Sequence, residues 1–360
     1  MKKGKVVLGM SGGVDSSVAA LILKNKGYEV IGIFQKNFSD NKDKFTGECW
    51  WREELENART IANILEIPLF VEDHESEYKN KVIKPMISLY SKNKTPNPDV
   101  ECNNITKFPN LLKAAKKHKA DFIATGHYAQ ITKINKTFFV KQGKDKTKDQ
   151  SYFLYKLNQK DLSRTLFPIG DKTKKEIREI AKNNKFPNWN KHGSAGVCFI
   201  GNIPLQEYLK KHISSKKGRV VDESGKVIGN HDGTQFYTIG QKAAEHFGIN
   251  INKPKKNAQK RYYVAKKLPK NTLLVVPERS NLLKTSQVII KKSTSQDKIK
   301  INKEYLARYR HLGPLVKGRL IKNRGKLVFK FKKPQESLAS GQSIVIYENK
   351  KVVLGGEMEI

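Results

Sequence analysis

An apolar run, Lys5-Val-Val-Leu-Gly-Met10, leads into the turn Ser11-Gly-Gly-Val-Asp-Ser-Ser17 and then into SSVAALILKNKG. A buried strand, a glycine turn and a helix in that order constrain this chain more than any other feature. Gly27 stands where a C′ glycine ends a helix, and EVIGIF (29–34) supplies the next strand. The resulting βαβ unit predicts a parallel sheet with helices laid on it. Leu55, Ala58, Ile61, Ala62 and Leu65 recur at helical spacing, IPLFVED reads as a third strand, and ADFIATGHYAQI (120–131) as a fourth. Thr173 and Glu176 frame TKKEIREIAKNN as a capping-box helix, so the alternation runs to about residue 190.

Beyond residue 215 the pattern changes. VVDESGKVIG (220–229) predicts a hairpin around Ser224-Gly225, with TQFYTIG and RYYVA as short strands. SQVIIKK, LVKGRLI, KLVFKFKK and SIVIYENKKVVLGG follow, with turn signals at Asn323-Arg324-Gly325 and Glu348-Asn349-Lys350. Leu327, Phe329 and Phe331 alternate with Val328 and Lys330, the period of a half-buried strand. The expected architecture is an α/β, parallel-sheet domain over 1–205, a small central domain over 206–283 and an antiparallel, barrel-like β domain over 284–360.

Hydrophobic residues make up 38% of the 360 and charged residues 29%, the balance of a globular chain rather than a disordered one. Its apolar runs are far too short to span a bilayer. The N-terminus has no signal-peptide core, so we expect a cytoplasmic protein without a membrane partner. A net charge of +36 favours a polyanionic partner, nucleic acid above all, although a solvated lysine-rich surface is the other reading. Cys49, Cys102 and Cys198 are scattered with no CxxC pair. That argues against a disulfide framework or a structural zinc site, and no metal ligands are assigned.

Gly12 and Gly13 permit a tight turn whose N–H groups converge on an anion, and the helix that follows adds the positive end of its dipole. No Lys occupies the GK[ST] position, so this is not a Walker A loop. It resembles the PP-loop of the ATP pyrophosphatases, which split ATP between its α and β phosphates; a plain strand–helix turn is the lesser alternative. In ATGHYA (124–129), Gly126 is expected to let the backbone approach a nucleotide, while His127 reads equally as a satisfied structural histidine and receives no catalytic role.

In TPNPDVECNNITKF (95–108), Pro96 and Pro98 predict an extended, stiff segment. A helical turn beyond it would put Asp99 and Cys102 on one face. A carboxylate does not favour a neighbouring thiolate, so Asp99 reads as a proton donor or acceptor for substrate. In SAGVCFIGN (194–202), Cys198 taken alone is as readily a small core residue.

Together GMSGGVDSSVAA, TPNPDVECN, ATGHYA, KDQSYFLY, RTLFPIG, GVCFIG, FYTIGQ and ARYRH, in that order, resemble the bacterial tRNA-specific 2-thiouridylases across nearly the whole chain. The resemblance implies a PP-loop enzyme that adenylates and 2-thiolates the wobble uridine of tRNA with ATP and Mg2+. It implies ATP contacts from Gly9, Met10, Ser11, Gly12, Gly13, Val14, Asp15 and Ser16, completed by Gln35 and Gly126. Asn97, Pro98 and Asp99 would lie against the target base. Cys198 would carry a persulfide received from a sulfur-carrier protein or cysteine desulfurase, and Cys102 would release its sulfur through a transient disulfide. Lys148, Asp149, Gln150, Arg308 and Tyr309 would contact the tRNA, which binds by its anticodon arm.

Four positions depart from the family pattern: Gln35 replaces a usual Met, Gly193 and Ala195 alter the segment before Cys198, and Lys242 replaces an Arg. Cys49 is expected to take no part in catalysis. The rival functions are another PP-loop enzyme (tRNA lysine or 4-thiouridine type, or a small-molecule amide former) and a non-catalytic RNA-binding protein. The placed thiols and the intact loop speak against each.

Overall fold

The computed structural model describes residues 3–39, 49–191, 204–252 and 261–360. Strands β1 (Lys5–Gly9), β2 (Glu29–Lys36), β3 (Leu69–Asp73) and β4 (Phe122–Thr125) are parallel and pair in the order β3-β2-β1-β4. Helices α1 (Val14–Asn25) and α2 (Trp50–Ile64) make the first two crossovers. The third passes through α3 (Glu75–Tyr78), α4 (Lys84–Ser91), α5 (Pro98–Glu101) and α6 (Phe108–Lys117), with π-helical turns at Lys79–Ile83 and Cys102–Lys107. β1 is apolar from Val6 to Leu8 because both its faces are covered there. Val6 and Leu8 pack with α1, whereas Val7 packs with Leu111 and Ala114 of α6.

ADFIATGHYAQI is two strands rather than one. The backbone leaves β4 at Gly126, and the hairpin β5 (Ala129–Ile134) and β6 (Thr137–Gln142) runs antiparallel in a different sheet. A Cβ at Gly126 would stand 2.9 Å from the Asp15 carbonyl carbon and the Ser16 nitrogen, so the chain must turn there. After α7 (Gln159–Ser163), β7 (Thr165–Leu166) extends the parallel sheet beside β4. Helix α8 (Lys174–Asn183) has the expected capping box, Thr173 with Glu176.

After α9 (Leu205–His212), β8 (Gly218–Val221) and β9 (Val227–His231) form the predicted hairpin, with Gly225 at φ 82. Their sheet also holds β10 (Lys242–Ala243), β11 (Ile249–Ile251), β12 (Tyr262–Leu268) and β13 (Thr272–Pro277). TQFYTIG is not a strand: Thr234–Phe236 is a 3-10 turn. Its neighbours Phe236 and Tyr237 are both buried, which the alternating faces of a half-exposed strand do not allow.

The last unit contains β14 (Lys284–Ser295), β15 (Glu304–Arg308), β16 (Val316–Asn323), β17 (Lys326–Glu336), β18 (Ser343–Glu348) and β19 (Lys351–Glu359). Pairing in the order β14-β17-β16-β15-β18-β19, closed by β14 on β19, makes an antiparallel barrel. The β5–β6 hairpin is attached to the barrel strand β19 through Lys141 and Lys351. The expected fold class, a parallel-sheet domain, a small central unit and a terminal antiparallel barrel, is the one observed.

Candidate active site

The order β3-β2-β1-β4 reverses chain direction at β1, so the turns after β1 and β4 flank the crevice where open α/β sheets bind ligands. Ser11–Gly13 follows β1. Gly12 has φ +75, and a Cβ there would lie 2.0 Å from the Glu54 carbonyl oxygen, so only glycine serves. The Ser16 hydroxyl donates to the Gly13 carbonyl at 3.0 Å and accepts from the Ser11 N–H at 3.2 Å. Buried Asn188 clamps the loop from behind, donating to the Gly12 carbonyl at 2.8 Å and to Ser17 Oγ at 3.0 Å. At Gly13 a Cβ would meet only Ser11 Oγ, at 3.5 Å. The space before the unsatisfied N–H groups of α1 therefore suits a phosphate.

Asp15 is tightly held. The Lys174 ammonium reaches its two oxygens at 2.7 and 2.8 Å, and the Tyr128 hydroxyl donates to Oδ1 at 2.6 Å. Burial, and then the Asp15 charge, push the Tyr128 phenol far up, so it stays a donor. Gly126 packs on the loop's own backbone, which is why it must be glycine. Met10 is buried against Gly32, and a Cβ at Gly9 would press on Leu111. Gln35 ends β2 with its amide donating to the Lys107 carbonyl at 3.3 Å.

That carbonyl closes the π-turn that begins at Cys102, so the thiol segment and the nucleotide segment meet at Gln35. Pro98 does not extend the backbone as expected. It opens α5, because a fixed φ and a missing N–H suit the first helical turn. Asn97 is the N-cap, its Oδ1 accepting from the Val100 N–H at 3.4 Å. Asp99 is half-buried on this turn, while Cys102 is 5% exposed and contacts Thr106 Oγ1 at 3.7 Å. The segment leans on the barrel: Gln342 donates to the Thr95 and Pro96 carbonyls at 3.3 and 3.1 Å. His127 stacks on Phe108 at 5.9 Å and bonds Thr125 Oγ1 at 2.7 Å. Burial, and then Lys107, hold its imidazole well below the ordinary range, so it is neutral.

Cys198, with Gly193 and Ala195, lies outside the described residues. Cys49 is half-buried with its thiol on the Ser39 carbonyl. Among the described residues no three His, Cys, Asp or Glu side chains are grouped to hold a metal. Lys148 is exposed and Gln150 accepts from the Tyr128 N–H at 2.9 Å. Arg308, Tyr309 and Asp149 are buried instead of lying open at the surface, with Arg308 bound to Asp149 at 2.7 Å. Lys242 is exposed on β10.

Sequence reasoning missed Lys174 and Asn188. Lys174 did leave a signal: a cation in the first helical turn opposes the helix dipole and calls for a reason. Asn188 left none, because nothing local marks it as a partner of Gly12.

A parallel sheet with a glycine loop and a held carboxylate at its switch point defines a nucleotide-binding α/β domain. The chain matches the tRNA methyl transferase HUP domain over residues 4–202, the tRNA methyl transferase PRC-barrel domain over 206–278 and the aminomethyltransferase beta-barrel domain over 283–358. It belongs to the family of the tRNA-specific 2-thiouridylases. Over 361 residues it is 41% identical to "tRNA-specific 2-thiouridylase MnmA" of Nitrosomonas eutropha, covering 99% of this chain and 98% of that one. To "tRNA-specific 2-thiouridylase MnmA 1" of Geobacillus kaustophilus it is 40% identical over 354 residues, with coverages of 97% and 94%. No described helix is long and apolar enough to cross a membrane.

Proposed function

We propose that this chain is an ATP-dependent tRNA sulfurtransferase that converts the wobble uridine to 2-thiouridine. The observation that carries the reading is the hydrogen bond from Gln35, near the end of β2, to the Lys107 carbonyl at the end of the π-turn that Cys102 opens, which ties the parallel sheet to the thiol segment. A uracil C2 carbonyl is a poor electrophile, and its oxygen leaves badly. Attack of that oxygen on the α-phosphorus of ATP expels pyrophosphate and turns the oxygen into part of an AMP leaving group. The terminal sulfur of a Cys198 persulfide then adds at C2 and AMP departs. The Cys102 thiolate next attacks Cys198 Sγ, which breaks the S–S bond, leaves sulfur on the base and forms a Cys102–Cys198 disulfide. A dithiol reductant resets both thiols.

In this reading Gly9–Ser16, Gln35 and Gly126 form the ATP site, with Mg2+ held chiefly by the phosphates themselves. Asn97–Asp99 face the base, and Asp99 moves its proton. An anticodon base is unpaired and enters a pocket without the cost of opening a duplex. Lys148, Gln150 and the exposed Lys330, Lys332 and Lys333 of β17 meet tRNA phosphates, whereas the buried Asp149 and Arg308 position the loop that carries Lys148 and Gln150. The sulfur comes from a persulfide-bearing carrier protein or cysteine desulfurase. The family descriptions name methyl transfer and the relatives' names thiolation. An ATP-splitting loop serves the second, since activating a carbonyl oxygen is what replacing it requires.

Mass spectrometry of nucleosides from tRNA incubated with the chain, ATP, Mg2+ and a persulfide donor tests this. Exchange of oxygen for sulfur, dependent on ATP, is the expected product. A methyl adduct, or unchanged uridine, would overturn the proposal.

A further inference from the structure

Helix α8 packs by one side and leaves the other open. Its Ile177 and Ala181 are buried with Val18 of α1 and with Val6 and Leu8, whereas Val345, Tyr347 and Val352 of the barrel pack with Val7 and Ile31. Alternate residues of a strand point to opposite faces, so α8 and the barrel cover opposite faces of the parallel sheet. Lys174, Lys175, Arg178, Glu179 and Lys182 of α8, with Trp189 beyond it, line a groove of about 470 Å³. Lys174 at its head is held by Asp15 at 2.7 Å. Lys175 and Lys182 are exposed, and Arg178 Nε is buried with no hydrogen-bond partner. Glu179 is the only acidic residue among the described residues that line the groove. Trp189 stands exposed, with Lys182 Nζ 5.2 Å from its ring centroid. An indole rimmed by Arg and Lys has the composition of a protein-binding hot spot. Phosphates of a paired RNA stem would need the cations alone. Trp189 also precedes Cys198 by nine residues, a span of at most about 32 Å even when fully extended.

We infer that the groove along α8 docks the protein that delivers sulfur, by an acidic surface with an apolar centre that covers Trp189. This rests on the sulfur-relay reading of Cys198 and adds the place of delivery. In the transfer the Cys198 thiolate attacks the terminal sulfur of the donor's persulfide. The donor's S–S bond breaks, the donor leaves as a thiolate, and Cys198 becomes the persulfide, so no oxidant is consumed. Because the groove and the barrel lie on opposite faces of the sheet, the donor docks without displacing a tRNA held by the barrel.

Sulfur loading of the full chain, with tRNA and ATP left out, tests the assignment. Two protein donors, a cysteine desulfurase and an acidic sulfur-carrier protein, each bear a radiolabelled persulfide. Labelled polysulfide serves as the donor with no protein surface. Lys175→Glu/Lys182→Glu and Trp189→Ala should each slow labelling of Cys198 by the faster protein donor about tenfold, and leave polysulfide labelling within about twofold of wild type. Added salt should slow the wild-type reaction with that protein and change the charge-reversed variant little. Affinity for tRNA should hold in both variants. A loss of about tenfold would assign the groove to RNA and overturn the inference. So would an undiminished rate from the protein donor, an equal fall in polysulfide labelling, or a wild-type chain that takes sulfur from polysulfide but from neither protein. A wild-type chain whose Cys198 takes sulfur from no donor would overturn the relay reading itself, a result distinct from these.

Discussion

Arg308 on β15 donates through Nη1 to Asp149 Oδ2 at 2.7 Å, with side chains 7% and 1% exposed. The same carboxylate accepts from the Gly143 and Ser151 N–H groups, each at 3.1 Å, and from the Gln142 amide at 3.0 Å. One barrel cation thus fixes the 143–151 loop, whose Gln150 holds the backbone of Tyr128, which in turn bonds Asp15. The barrel is thereby linked to the phosphate loop by a chain of hydrogen bonds.

Removing either partner leaves the other buried and unpaired, which costs about 3–5 kcal/mol. Arg308→Ala and Asp149→Ala should each lower the urea midpoint, and the double variant should lose clearly less than the two losses added. Strict additivity would show that the contact contributes nothing to the coupling of barrel and loop.

Gly126→Ala places a methyl group 2.9 Å from the phosphate-loop backbone, which has no flexible side chain to yield. ATP affinity should fall about tenfold, or about 1.4 kcal/mol, with tRNA affinity unchanged. Equal weakening of both ligands in titrations would contradict a dedicated nucleotide loop.

Cys102→Ser and Cys198→Ser should each abolish 2-thiouridine while ATP binding stays at the wild-type level, because the loop and the thiols lie on separate segments. Nucleoside mass spectrometry and ATP titration read the two effects apart. Wild-type yield from either variant would remove that thiol from the reaction.

Burial holds His127 well below its ordinary value, lowers His231, and brings His311 down to about 4, Arg308 adding to the effect at His311. The unfolded chain protonates these rings below about 6.5, whereas the folded chain resists. The unfolded state therefore binds more protons, and stability must fall as pH drops from about 6.5 toward 4. The depressed Asp145 and Glu176 carboxylates continue the loss at lower pH. Urea midpoints measured across this range should slope downward on acidification, and His311→Gln should flatten the slope. A flat wild-type profile would refute the histidine contribution.

The sequence by itself determined the parallel βαβ start, the capping box of α8, the hairpins at Gly225 and Gly325 and the phosphate loop. Each depends on residues a few positions apart, where backbone preference and side-chain period decide. Tertiary structure alone decided the rest. It split ADFIATGHYAQI between two sheets because Gly126 abuts a loop more than a hundred residues earlier. It turned Pro98 from an extended residue into a helix opener and buried Arg308 and Asp149 against each other. It also delivered Lys174 to Asp15 and Asn188 to Gly12, contacts between side chains whose meeting is fixed by how the elements pack and not by any local pattern.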